Sequence, residues 1–112
     1  MFKSAPNLLF VCTGNTCRSP MAEVMAKSLF RELNIMATVH SAGINAGNGY
    51  PASSNAVIAM RRESLDLASH RSQQISYELL QRATIVLTMT ESHLYAINAA
   101  TTPMANVFTL GK

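Results

Sequence analysis

The segment 7–20, NLLFVCTGNTCRSP, constrains this chain more than any other. After Asn7 its first residues are continuously apolar, with aromatic and β-branched members, which is the pattern of a buried central strand. The run passes straight into a polar, glycine-containing turn. Ser19-Pro20 then reads as a helix start, with serine as cap and proline at the first helical position, where its missing N–H costs nothing. Met21, Val24, Met25, Leu29 and Leu33 recur at helical spacing, while Glu23 and Lys27 form an i,i+4 pair on the other side. The opening is a strand, a loop and a helix.

The alternation continues along the chain. ATVHSAG reads as a second strand and INAGNGYPASSN as a loop, punctuated by Gly43, Gly47, Gly49 and Pro51. From Asn55 the run AVIAMRRE suits a helix, SLDLASHRSQQ a loop, and SYELLQRA a further helix capped by Ser76. TIVLTMT is the next buried strand, ESHLYAINA a short helix and NVFTLGK a last strand. Strands alternating with helices predict an α/β fold of βαβ units around a parallel sheet. No repeat, low-complexity stretch or linker interrupts the sequence, so residues 1–112 are expected to form a single domain. In such a sheet, ligands bind beyond the carboxyl ends of the strands, where the strand order reverses. The opening loop sits at such a point.

Composition narrows the function. Apolar residues make up 48% and charged residues 13%, which fits a folded protein and not a disordered tail. The net charge is +3, but Arg61-Arg62 is the only adjacent Lys/Arg pair, so no nucleic-acid partner is expected. The first apolar run follows Pro6 and Asn7 and is too short for a signal core or a membrane span, which predicts a cytoplasmic protein without a membrane partner. Cys12 and Cys17 are then expected as reduced thiols. The histidines, His40, His70 and His93, supply no second compact ligand pair, so neither a metal nor a cofactor is expected.

The loop lacks the glycines and lysine of the nucleotide-binding signatures; it has Gly14 alone. What remains is Cys12, five residues, then Arg18. A loop wrapping into the first turn of a helix can aim backbone N–H groups at one centre and so cradle an anion. Arg18 closes the cradle with a planar fork suited to two phosphoryl oxygens. Cys12, at the floor, feels the helix N-terminus and the arginine, which both favour thiolate over thiol. A thiolate beneath a phosphoryl group can attack phosphorus in line, giving a phosphocysteine that water hydrolyses. Ser19 is placed to donate to the sulfur, Asn15 to brace the loop in a left-handed conformation, and Cys17 to form a reversible disulfide with Cys12 under peroxide.

The stretch VCTGNTCRSPMAE closely resembles the phosphate-binding signature of the low-molecular-weight protein tyrosine phosphatases. The likeness continues through HSAG, SHRS, ATIVLTMT and VFTL. It implies a single-domain, three-layer parallel sheet of flavodoxin-like topology, with strand order 2-1-3-4. It also implies Cys12 as nucleophile, Arg18 as phosphate clamp and Ser19 as thiolate donor, with Thr13, Gly14, Asn15, Thr16 and Cys17 around the phosphate. Asn15, Ser41 and His70 match a bracing network, and Tyr50 falls in a loop expected to form a pocket wall. The implied partners are a phosphorylated protein and phosphate or a similar oxyanion. One branch resembles protein-arginine phosphatases, in which a threonine replaces a bulkier aliphatic residue of the loop; this chain has Thr16 there. Arsenate reductases share the loop but relay electrons through later cysteines, and none follows Cys17.

Family members usually continue past the fourth strand into a loop with an Asp-Pro acid and a final helix. Here VFTLGK is the last stretch and the only aspartate is Asp66, followed by leucine. The expectation is a fold truncated after the fourth strand, without the acid loop and last helix. A missing acid costs about 10²–10⁴-fold in rate. Glu91 is the candidate substitute acid, and His93 reads as an ordinary surface histidine. An uncovered sheet face, exposing residues of NLLF or VFTL, predicts a homodimer. Two other readings remain: a catalytically weak phosphate-binding module, and a redox protein using Cys12 and Cys17.

Overall fold

The computed structural model describes residues 5–100 and 106–110, with only the backbone of residues 99 and 100 considered. Lys3, Gly111 and Lys112, which entered the charge and strand readings, lie outside the described residues. The elements in chain order are β1 (Asn7–Cys12), α1 (Arg18–Glu32), β2 (Thr38–Gly43), α2 (Ser54–Arg62), α3 (Tyr77–Arg82), β3 (Ile85–Thr88), α4 (Glu91–Ala100) and β4 (Val107–Thr109). They form one parallel sheet of order β2-β1-β3-β4, as the resemblance implied.

β1 is central because it is apolar on both faces. Leu9 and Val11 enter one cluster with Ala42, Leu80, Val86, Ile97 and Val107, beneath α3 and α4. Phe10 and Cys12, out of phase with them, are also buried, and α1 packs on β1 and β2. A second cluster joins Ala56 and Met60 of α2 to Leu67, with Met21 and Val24 of α1 against it. Fully burying side chains such as Leu9, Val11 and Val86 stabilises by about 1.5–3 kcal/mol each. In register, Cys12 lies beside Gly43 and Val11 beside Thr88, so the strand ends converge on the loop that follows β1.

Both α1 and α2 end in the same way. Asn34 and Ser64 take left-handed conformations, and the N–H groups of Ile35 and Leu65 reach back to the carbonyls of Phe30 and Met60. These are Schellman closures, with asparagine and serine where glycine is commoner. Ser76 caps α3 through Leu79 N–H at 3.2 Å, as its sequence position predicted.

Three expectations need correction. α1 begins at Arg18 and not at Pro20, and Ser19 does not cap it; its hydroxyl is taken by the Cys12 sulfur and Asn15. Met25, Leu29 and Leu33 share the helical period but are half exposed or more, because the second cluster reaches only the Met21–Val24 end of α1. Leu9 and Phe10 of NLLF are covered, whereas Phe108 of strand β4 and Leu110 just beyond it are exposed.

Candidate active site

The loop from Thr13 to Cys17 hangs from the carboxyl end of the central strand and is tied to its surroundings by main-chain bonds. Thr13 C=O accepts from Asn45 N–H at 2.9 Å, and Thr16 C=O accepts from Ser53 N–H at 2.8 Å, which joins the loop to the start of α2. Gly43 is needed beside it: a Cβ there would lie 2.5 Å from Thr13 O and 3.0 Å from Asn15 N.

The proton directions in the loop follow from one backbone group. Gln73 N–H, which can only donate, meets Asn15 Oδ1 at 2.8 Å. That orients the amide, so Asn15 Nδ2 donates to Ser19 Oγ and to Ser41 Oγ, both at 2.9 Å. Ser41 passes its own proton to Glu23 Oε1 at 2.5 Å. Ser19, accepting from Asn15, turns its proton to the Cys12 sulfur at 2.9 Å, and Asn15 N–H also points at that sulfur, at 3.3 Å. Cys12 is buried at 3% exposure, and its sulfur meets the Ser19 hydroxyl and the Asn15 N–H. His70 Nε2 lies 2.8 Å from the Asn15 carbonyl, and Asn15 holds φ at 56°, a left-handed geometry that asparagine tolerates. Asn15, Ser41 and His70 thus come together as the resemblance implied.

At the mouth, Arg18 and Cys17 are exposed. The backbone N–H groups of Gly14, Thr16, Cys17 and Arg18 donate to no other described residue. Tyr50 is 61% exposed in the loop between β2 and α2. Its N–H donates to Ser72 Oγ, whose proton goes to Gly47 O, and its ring lies against Gly47, where a Cβ would fall 2.2 Å from the ring.

Glu91, the expected substitute acid, is exposed at the start of α4, and its carboxylate makes no hydrogen bond or ion pair with another described residue. His93 corrects its expected role as a surface histidine. It is 6% exposed, with Nε2 2.9 Å from Thr13 Oγ1, because α4 starts where β3 delivers it beside the loop. Burial first, and Arg18 second, hold its pKa below the usual histidine value. Asp66 is directed elsewhere: its carboxylate accepts from Ala68 N–H, and it lines a cavity of about 270 Å³ with Glu23, His40, Ser41 and His70. No metal-binding cluster is found among the described residues.

Sequence reasoning missed Gln73, whose contribution is a main-chain N–H without a residue signature. It read Glu23 only as the partner of Lys27, a pair that does form at 2.7 Å.

Comparison with known proteins identifies the family. The family model for low molecular weight phosphotyrosine protein phosphatase matches residues 7–112. A low molecular weight protein-tyrosine-phosphatase of Acinetobacter johnsonii is 41% identical over 86 residues, covering 77% of this chain and 58% of that protein. A protein-arginine-phosphatase of Bacillus subtilis is 41% identical over 87 residues, covering 78% of this chain and 57% of that protein. These alignments span a little under three fifths of each relative. The solved structure of a YwlE arginine phosphatase variant with a phosphorylated active-site serine superposes with a TM-score of 0.89 at 38% identity, covering 92% of this chain and 68% of that one. The chain belongs to the low molecular weight phosphotyrosine protein phosphatase family.

Proposed function

We propose that this chain carries the phosphate-binding and nucleophilic part of a cysteine-dependent phosphoprotein phosphatase. The observation that carries the reading is the Cys12 sulfur, buried beneath the loop and met by the Ser19 hydroxyl and the Asn15 N–H. The phosphoryl group occupies the cradle formed by the loop's free N–H groups and the first turn of α1, with the Arg18 guanidinium bidentate on two of its oxygens. Cys12 attacks phosphorus in line; the S–P bond forms as the ester P–O bond breaks, and the leaving oxygen takes a proton from solvent water. Water then attacks the phosphocysteine, phosphate departs and the thiolate returns. Ser19 stabilises the sulfur as nucleophile and as leaving group. Its direction is inherited from Gln73 through Asn15, with Ser41 and His70 bracing the same residue.

The substrate is a phosphorylated residue of a protein, with Tyr50 as one wall. Phosphotyrosine is the first reading. Phosphoarginine is the second, favoured by Thr16 and by the likeness to the Bacillus subtilis arginine phosphatase. The cysteines add redox sensitivity: peroxide oxidises the Cys12 thiolate to a sulfenic acid, and the exposed Cys17 thiol condenses with it to a disulfide and water. A cytoplasmic setting fits these reduced thiols, and no helix among the described residues is long and apolar enough to cross a membrane. Self-association along the β4 edge, where Phe108 is half exposed, accompanies this reading; a single 12.1 kDa species at high concentration in sedimentation overturns that part.

The test is a burst and steady-state assay with para-nitrophenyl phosphate. A burst stoichiometric with protein, lost in Cys12→Ser, is the expected result. Phosphate binding without burst or turnover in the wild type refutes the catalytic reading and leaves a phosphate-binding module.

A further inference from the structure

The histidine that sequence reasoning set aside joins two separate pieces of the site. Thr90 C=O accepts from Leu94 N–H, which makes Thr90 the residue that caps α4. Thr90 N–H in turn donates to His93 Nδ1 at 3.3 Å, and Thr90 Oγ1 lies 3.2 Å from the same nitrogen. This is the third-residue half of a capping box, with histidine where glutamate or glutamine is usual. A backbone N–H can only donate, so Nδ1 keeps its lone pair and the proton of the neutral ring sits on Nε2. Nε2 is 2.9 Å from Thr13 Oγ1. The Thr13 oxygen therefore accepts from the histidine, and its own proton is released for another acceptor. Thr13 is exposed and directly follows the nucleophile candidate.

We infer that His93 is a positioning residue that turns the Thr13 hydroxyl proton toward the anion held in the loop, making that hydroxyl a further phosphate contact. The inference rests on the phosphate cradle proposed above. It deepens it by adding a donor from a side chain that α4 holds in one orientation. His93 acts as a fixed donor and not as an acid. A proton on Nδ1 would face the Thr90 N–H, and burial with the nearby Arg18 further disfavours the cation. Arg18 and Thr13 belong to the same loop and helix start, on either side of its exposed mouth in sequence.

The two ring nitrogens can be tested apart, using inorganic phosphate and the chain as it stands. His93→Asn keeps a short acceptor for the Thr90 N–H and loses the reach to Thr13. His93→Gln keeps a donor at the Nε2 position. Thr13→Val removes the hydroxyl and leaves α4 untouched. Calorimetric titration is expected to give phosphate binding weakened about tenfold in His93→Asn and in Thr13→Val, restored to near wild type in His93→Gln, and no weaker in the double variant than in either single one. Equal affinity in the Asn and Gln variants, or additive losses in the double variant, overturns the inference. If His93→Asn fails to fold by circular dichroism, wild-type affinity in Thr13→Val alone overturns it. Turnover of para-nitrophenyl phosphate is read in parallel. The predicted binding pattern without a Cys12-dependent burst sinks the phosphocysteine reading and leaves this inference standing, whereas a normal burst with the wrong binding pattern does the reverse. Wild type that binds no phosphate refutes both.

Discussion

Asn15 is the residue through which one main-chain N–H sets the Ser19 and Ser41 hydroxyls, and replacing it measures that arrangement. In Asn15→Ala, Ser19 and Ser41 keep Cys12 and Glu23 as partners, but Gln73 N–H loses its acceptor. An orphaned donor in a partly buried position costs about 1–2 kcal/mol, and alanine at φ 56° adds about 1 kcal/mol of left-handed strain. With the two weakened hydroxyl bonds the total is roughly 3 kcal/mol, a large share of the 5–15 kcal/mol typical of a domain. The melting temperature should fall by about 12 °C. Asn15→Asp is the sharper variant. It keeps the volume, the left-handed tolerance and the acceptor for Gln73, yet presents an oxygen where Ser19 and Ser41 expect a donor. Both hydroxyls must turn toward it, breaking the bonds to Cys12 and Glu23 and burying a second carboxylate near the first. At pH 7 the aspartate should cost at least as much as alanine, about 3 kcal/mol, and recover part of the loss as the pH falls and the carboxyl is protonated. Urea unfolding followed by far-ultraviolet circular dichroism gives both numbers, since the chain has no tryptophan. An aspartate variant within about 0.5 kcal/mol of wild type would falsify the proton ordering derived from Gln73.

Other consequences are simpler to read. Gly43→Ala pushes a methyl group into the Thr13 carbonyl and the Asn15 nitrogen, both backbone, so phosphate titration should show at least about tenfold weaker binding, with a stability loss of roughly 2–3 kcal/mol. His93 is depressed in the folded state relative to 6.5, so its contribution to stability is complete above that value and is lost as pH falls through it toward the lower folded value. The urea midpoint of the wild type should therefore drop more between about pH 7.5 and about pH 5.5 than that of His93→Gln; equal drops would show that the ring is not held neutral. Ser72→Ala frees the Gly47–Tyr50 turn that its hydroxyl pins, and steady-state kinetics on an aryl phosphate should show a KM raised several-fold with the rate at saturation kept.

The parts of this fold that could be read from the sequence are those decided by neighbours in the chain. The run from Leu8 to Cys12 is apolar on both faces, so its central place needed no distant information, and Ser76 caps α3 with a donor three residues away. Cys12, Asn15, Arg18 and Ser19 lie on one short loop and helix start, which is why the site was legible. The failures have a common cause. A serine before a proline looks the same whether it caps a helix or serves a sulfur, and only Asn15, oriented by Gln73 N–H, decides for Ser19. Met25 and Leu29 carry a helical period, but period alone does not say how far along the helix the core extends. His93 was passed over because what makes it more than a surface residue, the Thr13 hydroxyl, is 80 positions away.

That separation also bears on time. The bonds that complete the cradle, Thr13 with His93 and Asn15 with Gln73, close chain loops of 80 and 58 residues, and contacts of such long range carry the largest closure cost and are made late in folding. A partly folded chain that had paired only β1 with β2 would have its thiol and its arginine but no oriented loop, and is expected to offer an anion little. On the proposed function, phosphate is expected to stabilise by binding the finished state alone. Its effect is then expected on escape from that state and not on arrival, so an anion pool would set how long this chain stays folded and leave unchanged how quickly it gets there.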